Sequence, residues 1–184
     1  MGKVTVTPEE FSLVFFEADR IAAVTAEIAA KVGIEPDVQV EIEEASPLGR
    51  LRVRSVEPIE LWAQGGALED PRRPRYLSER HLAQSLGRLL FRVKDRLNPD
   101  FADAPQDDDL TLQQQNIWDI YCLGRLERAG YDAAKSRWLY HFRTRQGFSD
   151  VSDAAFDRLW AADGLTWADL ESVRTELAEA RSAA

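Results

Sequence analysis

Apolar positions along the chain recur first at helical and then at strand spacing. Phe11, Val14, Phe15, Ala18, Ile21, Ala22, Ile28, Ala29 and Val32 follow three- and four-residue steps, the period of one helix face. Ahead of them, Thr7-Pro8-Glu9-Glu10 has the form of a helix start: a hydroxyl cap, a proline at the first helical position and a carboxylate placed for a capping box. Gly33 is a natural stop. One long helix is expected between these two signals.

Beyond it the period falls to two. Val38, Val40 and Ile42 alternate with Gln39, Glu41 and Glu43, and after the turn Ser46-Pro47-Leu48-Gly49, Leu51 and Val53 alternate with Arg50, Arg52 and Arg54. These two runs are expected to pair as a hairpin, with Glu41 or Glu43 across from the arginines. Ile59-Glu60-Leu61-Trp62-Ala63 predicts a third short strand, ended by Gly65-Gly66. The stretch Glu69 to Arg75, with Pro71 and Pro74 among its arginines, predicts an exposed cationic loop without regular structure, because proline removes a backbone donor and biases its predecessor away from helix. Ser78 then caps a second long helix, with Leu82, Leu86, Leu89, Leu90, Val93 and Leu97 on one side and arginines on the other, ending before Asn98-Pro99.

From Thr111, whose Gln114 offers another capping box, the chain reads as helices over about 112–129, 133–146, 153–162 and 167–181, broken near Gly130, Gly147 and Gly164. The expected fold is α+β: a small three-stranded antiparallel sheet with two long helices, in the order αβββα, followed by a C-terminal bundle of about four helices. All of it is expected to form a single domain over 1–184, with halves at 1–97 and 111–181 joined by an acidic connector at 98–110 that holds Asp107, Asp108 and Asp109. Trp118, Phe148, Phe156, Trp160 and Trp167 are the expected anchors of the helical half.

Composition narrows the function classes. The chain has 184 residues, 45% of them hydrophobic, which suffices for a core without disulfide staples. Its one cysteine, Cys122, has no partner in the chain, and acidic residues interrupt every early apolar run that resembles a secretory leader, so a cytoplasmic location is expected. No stretch approaches the ~20 apolar residues of a membrane span, and no membrane partner is expected. The net charge of −9 disfavours nucleic acid, whose affinity comes mainly from cations placed against phosphates. That charge is unevenly spread. Pro71 to Arg96 carries a balance of +6 and the first 44 residues one of −7, segments that complement each other within the fold or across a self-association interface.

Candidate chemistry is sparse. Two histidines and one cysteine fall short of the usual zinc ligand sets, no G-x-S-x-G elbow is present, and Gly65-Gly66 lacks the spacing of a phosphate loop. No catalytic residue, metal or cofactor is assigned. Two segments stand out as binding candidates: Glu69, Asp70, Arg72, Arg73 and Arg75, and a run of aromatics interleaved with cations that contributes Tyr140, His141, Arg143 and Arg145. In the second, Trp138, Leu139 and Phe142 fall at helical spacing and are expected in the core. Asp119, Asp150, Asp153 and Asp157 are available to pair with its arginines.

The order helix, three strands, helix over roughly residues 7–97 resembles the core of minimal zincin-like metallopeptidases, whose second helix carries H-E-x-x-H. Here that helix begins His81-Leu82-Ala83-Gln84-Ser85, so the resemblance implies a scaffold without the zinc chemistry. The segments Gly66–Arg72 (G-A-L-E-D-P-R) and His141–Arg145 (H-F-R-x-R) are similar to those of an uncharacterised bacterial family, and that resemblance implies no function. The expectation is a non-catalytic intracellular interaction or scaffold domain, taking a protein partner or a second copy of itself. An anion or nucleic-acid binder using Arg72–Arg75 and Arg143–Arg145 is the alternative. A divergent metal-dependent hydrolase with His81 or His141 as ligand is a further one.

Overall fold

In the computed structural model, which describes residues 2–183, the described residues form six helices and six strands that fall into two units, divided between Leu97 and Asn98. The first unit runs β1 (Val4–Thr7), α1 (Ala18–Val32), β2 (Val38–Glu43), β3 (Leu51–Val56), β4 (Ile59–Gln64), β5 (Glu69–Asp70), β6 (Arg73–Leu77) and α2 (Glu79–Arg96). The fold is α+β, but its main sheet is not the expected three-stranded antiparallel one. It has four strands in the order β1-β2-β4-β3, with β1, β2 and β4 parallel and β3 antiparallel at the edge.

Linker length accounts for the difference. Only Glu57 and Pro58 separate β3 from β4, a connection that makes neighbouring antiparallel strands, whereas seven residues separate β2 from β3 and let β4 enter between them. The Glu41–Arg54 ion pair forms all the same. It spans β4, with the Arg54 guanidinium lying 5.5 Å from the Trp62 ring centroid on its way to Glu41, and Arg52 over the same ring at 5.0 Å.

Two further expectations are corrected. The first helix begins at Ala18, not near Pro8, because Val4 and Val6 alternate with Thr5 and Thr7 and pair with β2, taking Thr7 into a strand. Residues 8–17 follow as a strap in which Val14 and Phe16 are buried while Leu13 and Phe15 face solvent, an alternation that belongs to extended chain. The segment expected as an irregular loop is the β5–β6 hairpin. Its prolines are tolerated because it forms a separate two-stranded sheet, where a missing donor breaks no central ladder.

Both long helices pack on one face of the four-stranded sheet and against each other. Ile21, Ile28 and Val32 of α1 and Leu82, Leu86, Leu90 and Val93 of α2 are buried with the inward residues Val38, Val40, Ile42, Val53, Ile59 and Leu61. Gly33 closes α1 in the left-handed conformation, at φ 83°. Helix α2 is buried on more than its leucine side, since Gln84, Arg92 and Asp95 are also inaccessible; the arginines do not all line a solvated face as expected. The opposite sheet face carries the exposed Thr5, Thr7, Gln39, Glu41 and Arg54.

The second unit holds α3 (Leu112–Arg128), α4 (Lys135–Gln146), α5 (Asp150–Ala161) and α6 (Trp167–Ser182), close to the expected spans. Thr111 and Gln114 make the expected capping box. Trp118 packs between Phe101 and Trp167, with ring centroids 5.4 and 5.3 Å away, and Phe156 packs on Phe142 and Trp160. Phe148 is no anchor: it lies 67% exposed in the α4–α5 connection. Trp138 and Leu139 are half-buried, and of that trio only Phe142 is fully inside. Among the described residues no helix is long and apolar enough to cross a membrane.

Helices α3 and α5 approach so closely that a Cβ built at Gly124 would lie 2.0 Å from the Trp160 carbonyl oxygen, backbone that cannot rotate away. Gly124→Ala is expected to cost about 1–3 kcal/mol, the usual range for overpacking. Chemical denaturation followed by tryptophan fluorescence reads this unit, because Trp118, Trp138, Trp160 and Trp167 are four of the chain's five tryptophans. An unchanged midpoint would contradict the close α3–α5 contact.

Candidate functional site

The two groups of candidate residues fall one to each unit. Glu69, Asp70, Arg72, Arg73 and Arg75 form the β5–β6 hairpin, and Tyr140, His141, Arg143 and Arg145 lie on α4. The hairpin is rooted on the start of α2. Ser78 N–H donates to the Leu68 carbonyl at 2.9 Å, the Ser85 hydroxyl to the Ala67 carbonyl at 2.9 Å, and His81 Nδ1 stands 2.7 Å from the Glu69 carbonyl. The His81 ring is thus engaged by the hairpin backbone.

Both hairpin carboxylates are turned to the backbone. Asp70 accepts the Arg72 N–H at 2.9 Å, fixing the turn, and Glu69 accepts the Arg75 N–H at 3.1 Å. Arg75 itself is held in the left-handed region at φ 71°, a conformation a non-glycine residue adopts only when its surroundings enforce it. The enforcement comes from both sides. Its carbonyl accepts the Phe15 N–H at 2.8 Å, its Nε donates to the Leu13 carbonyl at 2.6 Å, and Phe15 and Tyr76 form a parallel bridge.

This clamp lines up aromatic and cationic side chains. The Phe15 and Tyr76 rings stack at 4.7 Å, the Arg73 guanidinium carbon lies 4.1 Å from the Tyr76 centroid, and that of Arg75 lies 5.3 Å from Phe15. The ensemble faces solvent, with Leu13 48%, Phe15 58% and Tyr76 39% exposed. Sequence reasoning found its arginines but missed Leu13, Phe15 and Tyr76. The missed signal is Tyr76 directly after Arg72-Arg73-Pro74-Arg75, the same mixture of aromatic and cation that marks residues 137–145.

The α4 group differs in its electrostatics. Arg143 forms a two-pronged pair with Asp153, Nε to Oδ1 at 2.7 Å and Nη2 to Oδ2 at 2.6 Å, which raises the arginine pKa and holds the Asp153 carboxyl below the usual aspartate range. Its charge is therefore balanced locally. Tyr140, 60% exposed, packs edge-on against Phe148 at 6.1 Å and neighbours His141, while Arg145 is exposed. Cys122 is buried. Among the described residues no group of three or more His, Cys, Asp or Glu side chains could hold a metal ion. A shallow cavity of about 180 Å³ lies on the polar sheet face, lined by Thr5, Thr7, Gln39, Glu41, Arg54 and Glu60, with Arg54 already paired to Glu41.

Comparison of the chain with protein-family models, curated proteins and solved structures finds no match.

The strap that carries Leu13 and Phe15 is pinned by one carboxylate. Glu44 accepts the backbone N–H of Leu13 at 2.7 Å and of Ser12 at 2.9 Å, together with the Ser12 hydroxyl, and these bonds hold its carboxyl below the usual glutamate range. A carboxyl with a lowered folded pKa contributes stability in full above its unfolded value, and the contribution is lost as pH falls through the folded value. The stability difference between the wild type and Glu44→Ala is accordingly expected to be largest near neutral pH and to shrink in acid below the ordinary glutamate range. Urea titrations of both proteins across that window measure it. A difference that is flat with pH would contradict the pinning role.

Proposed function

We propose that the protein is a non-catalytic interaction module, acting in the cytoplasm, that holds a protein partner through the surface made by Leu13, Phe15, Tyr76, Arg72, Arg73 and Arg75. The observation that carries this is the clamped aromatic stack, which stays exposed although the chain spends a strained Arg75 and two carboxylates on building it. Folding alone does not call for such a surface. Exposed aromatics and arginines held in one geometry are what binding hot spots are made of, because little conformational freedom remains to be lost on association.

The zincin-like scaffold stays within this proposal. Strand β1, helix α1, the strands β2–β4 and helix α2 supply the layers, and the positions of the general-base Glu and the second histidine hold Leu82 and Ser85, both buried, with the Ser85 hydroxyl given to the Ala67 carbonyl.

Site-specific photo-cross-linking tests the surface. A benzophenone amino acid at Leu13 is expected to give discrete protein adducts in cells that make the protein. The same group at Thr5, on the polar sheet face, is expected to give none. Excess unlabelled wild-type protein should compete the adducts away, and Phe15→Ser/Tyr76→Ser protein should not. Equal adducts from both positions, or none from either, would remove the proposal.

A further inference from the structure

We infer that the hairpin surface recognises an acidic peptide segment of the partner, with carboxylates taken by Arg72 and Arg73 and an apolar side chain laid against Leu13 and Phe15. The inference rests on the interaction-module proposal above and adds the chemistry of the ligand.

The first support is how this acidic chain distributes its charges. Several other arginines have carboxylates: Arg20 pairs with Glu79, Arg54 with Glu41, Arg143 with Asp153, and Arg158 with Glu176. Among the described residues Arg72, Arg73 and Arg75 make no ion pair, although Glu69 and Asp70 are in the same hairpin. Those two carboxylates are committed to backbone N–H groups. The chain has 32 acidic and 23 basic side chains, so cations left without a carboxylate run against its own composition. A partner that brings carboxylates completes the pattern.

The second support is geometry. Stacking a guanidinium on a ring occupies its π face and leaves its in-plane N–H groups open, and those form the planar fork that binds a carboxylate by two parallel hydrogen bonds. Arg73 is held this way on Tyr76. Arg75 is pinned by its Nε, so it acts mainly as a fixed positive charge and as the buttress of Phe15.

The same stack disfavours single-stranded nucleic acid, the other polyanion that arginines and aromatics suit. A base stacks best on a free ring face, and here the two rings stack on each other, with a guanidinium carbon 4.1 Å from the Tyr76 centroid and another 5.3 Å from that of Phe15. A phosphate chain would also extend beyond the hairpin across a protein of net charge −9. A short peptide meets only the local positive field, since exposed charges are screened beyond ~8 Å at physiological salt.

The test is fluorescence anisotropy with the full chain and three labelled probes: an Asp/Glu-rich nonapeptide with a central Leu, its Asn/Gln counterpart, and a single-stranded oligouridylate. The acidic peptide is expected to bind, more weakly as salt rises, and the amide peptide to bind at least about tenfold less, as the loss of charge-assisted bonds implies. Arg72→Gln/Arg73→Gln should weaken the acidic peptide by a similar factor with an unchanged melting temperature. The charge-matched control Arg20→Gln/Arg158→Gln should leave binding alone. Equal affinity for both peptides, no binding at low salt, or tighter binding of the oligouridylate would overturn the inference. A Leu13 cross-link without peptide binding would remove the acidic ligand while leaving the interaction module in place.

Discussion

Strand β4 is hydrogen-bonded along both edges, parallel to β2 and antiparallel to β3, and the rest of the first unit is arranged around it. Ile59, Leu61 and Ala63 are all buried, so β4 brings a buried row of the core together with a backbone paired on both sides. A strand in this position cannot shift by one residue without turning that row to solvent. Its exit is therefore fixed, and the chain leaves it directly into Gly65–Ala67 and the β5–β6 hairpin. A Cβ at Gly66 would lie 2.0 Å from the Pro47 carbonyl oxygen, so the exit turn is also tied to the β2–β3 connection. The hairpin is thus held at its base by β4 and at its end by Ser78 and α2, and its outer residues have little freedom left.

Three carboxylates in the first unit act as backbone caps. Glu44 holds the amides of the strap, while Glu69 and Asp70 hold those of the hairpin. Each satisfies backbone donors outside the four-stranded sheet. In the second unit arginines do the reciprocal work on carbonyls: Arg128 reaches the Trp160 and Ala162 oxygens at the end of α5, and Arg181 reaches the Gln146 oxygen at the end of α4. Cations at helix C-termini are favourable on two counts, since they satisfy open carbonyls and oppose the helix dipole. The difference leaves Arg128 and Arg181 committed and Arg72 and Arg73 available.

Periodicity made most of the elements legible and left their pairing hidden. The alternation in Val38–Glu43 and Leu51–Val56 fixed which side chains face the core but carries no information on which strand lies beside which. That was decided by a two-residue link against a seven-residue one. Strand β1 was readable in Val4-Thr5-Val6-Thr7, but the capping signals of Thr7-Pro8-Glu9-Glu10 overlie it, and a local helix preference gave way to pairing with β2. The cap signals at Ser78 and Thr111 did mark helix starts, because a side-chain oxygen bonding a backbone N–H is a local event. The candidate surface was half legible. Its arginines are contiguous, whereas Phe15 comes from 61 residues before Tyr76 and is brought there only by the strap.

Exposure of Phe15 is the feature that folding energetics leaves over. Its neighbours Val14 and Phe16 are buried, so the strap already has its two anchors, and the Glu44 bonds hold it without help from the ring. A polar residue at this position would keep the backbone bridge to Tyr76, which needs only the Phe15 N–H and the Arg75 carbonyl. What such a residue would lose is the ring stack and, with it, the seat of Arg75 and one neighbour of the Tyr76 ring on which Arg73 rests. The aromatic ring thus acts on the arginines more than on the core. Its stabilisation of their geometry is gained at a surface position where a partner, and not the interior, meets the result.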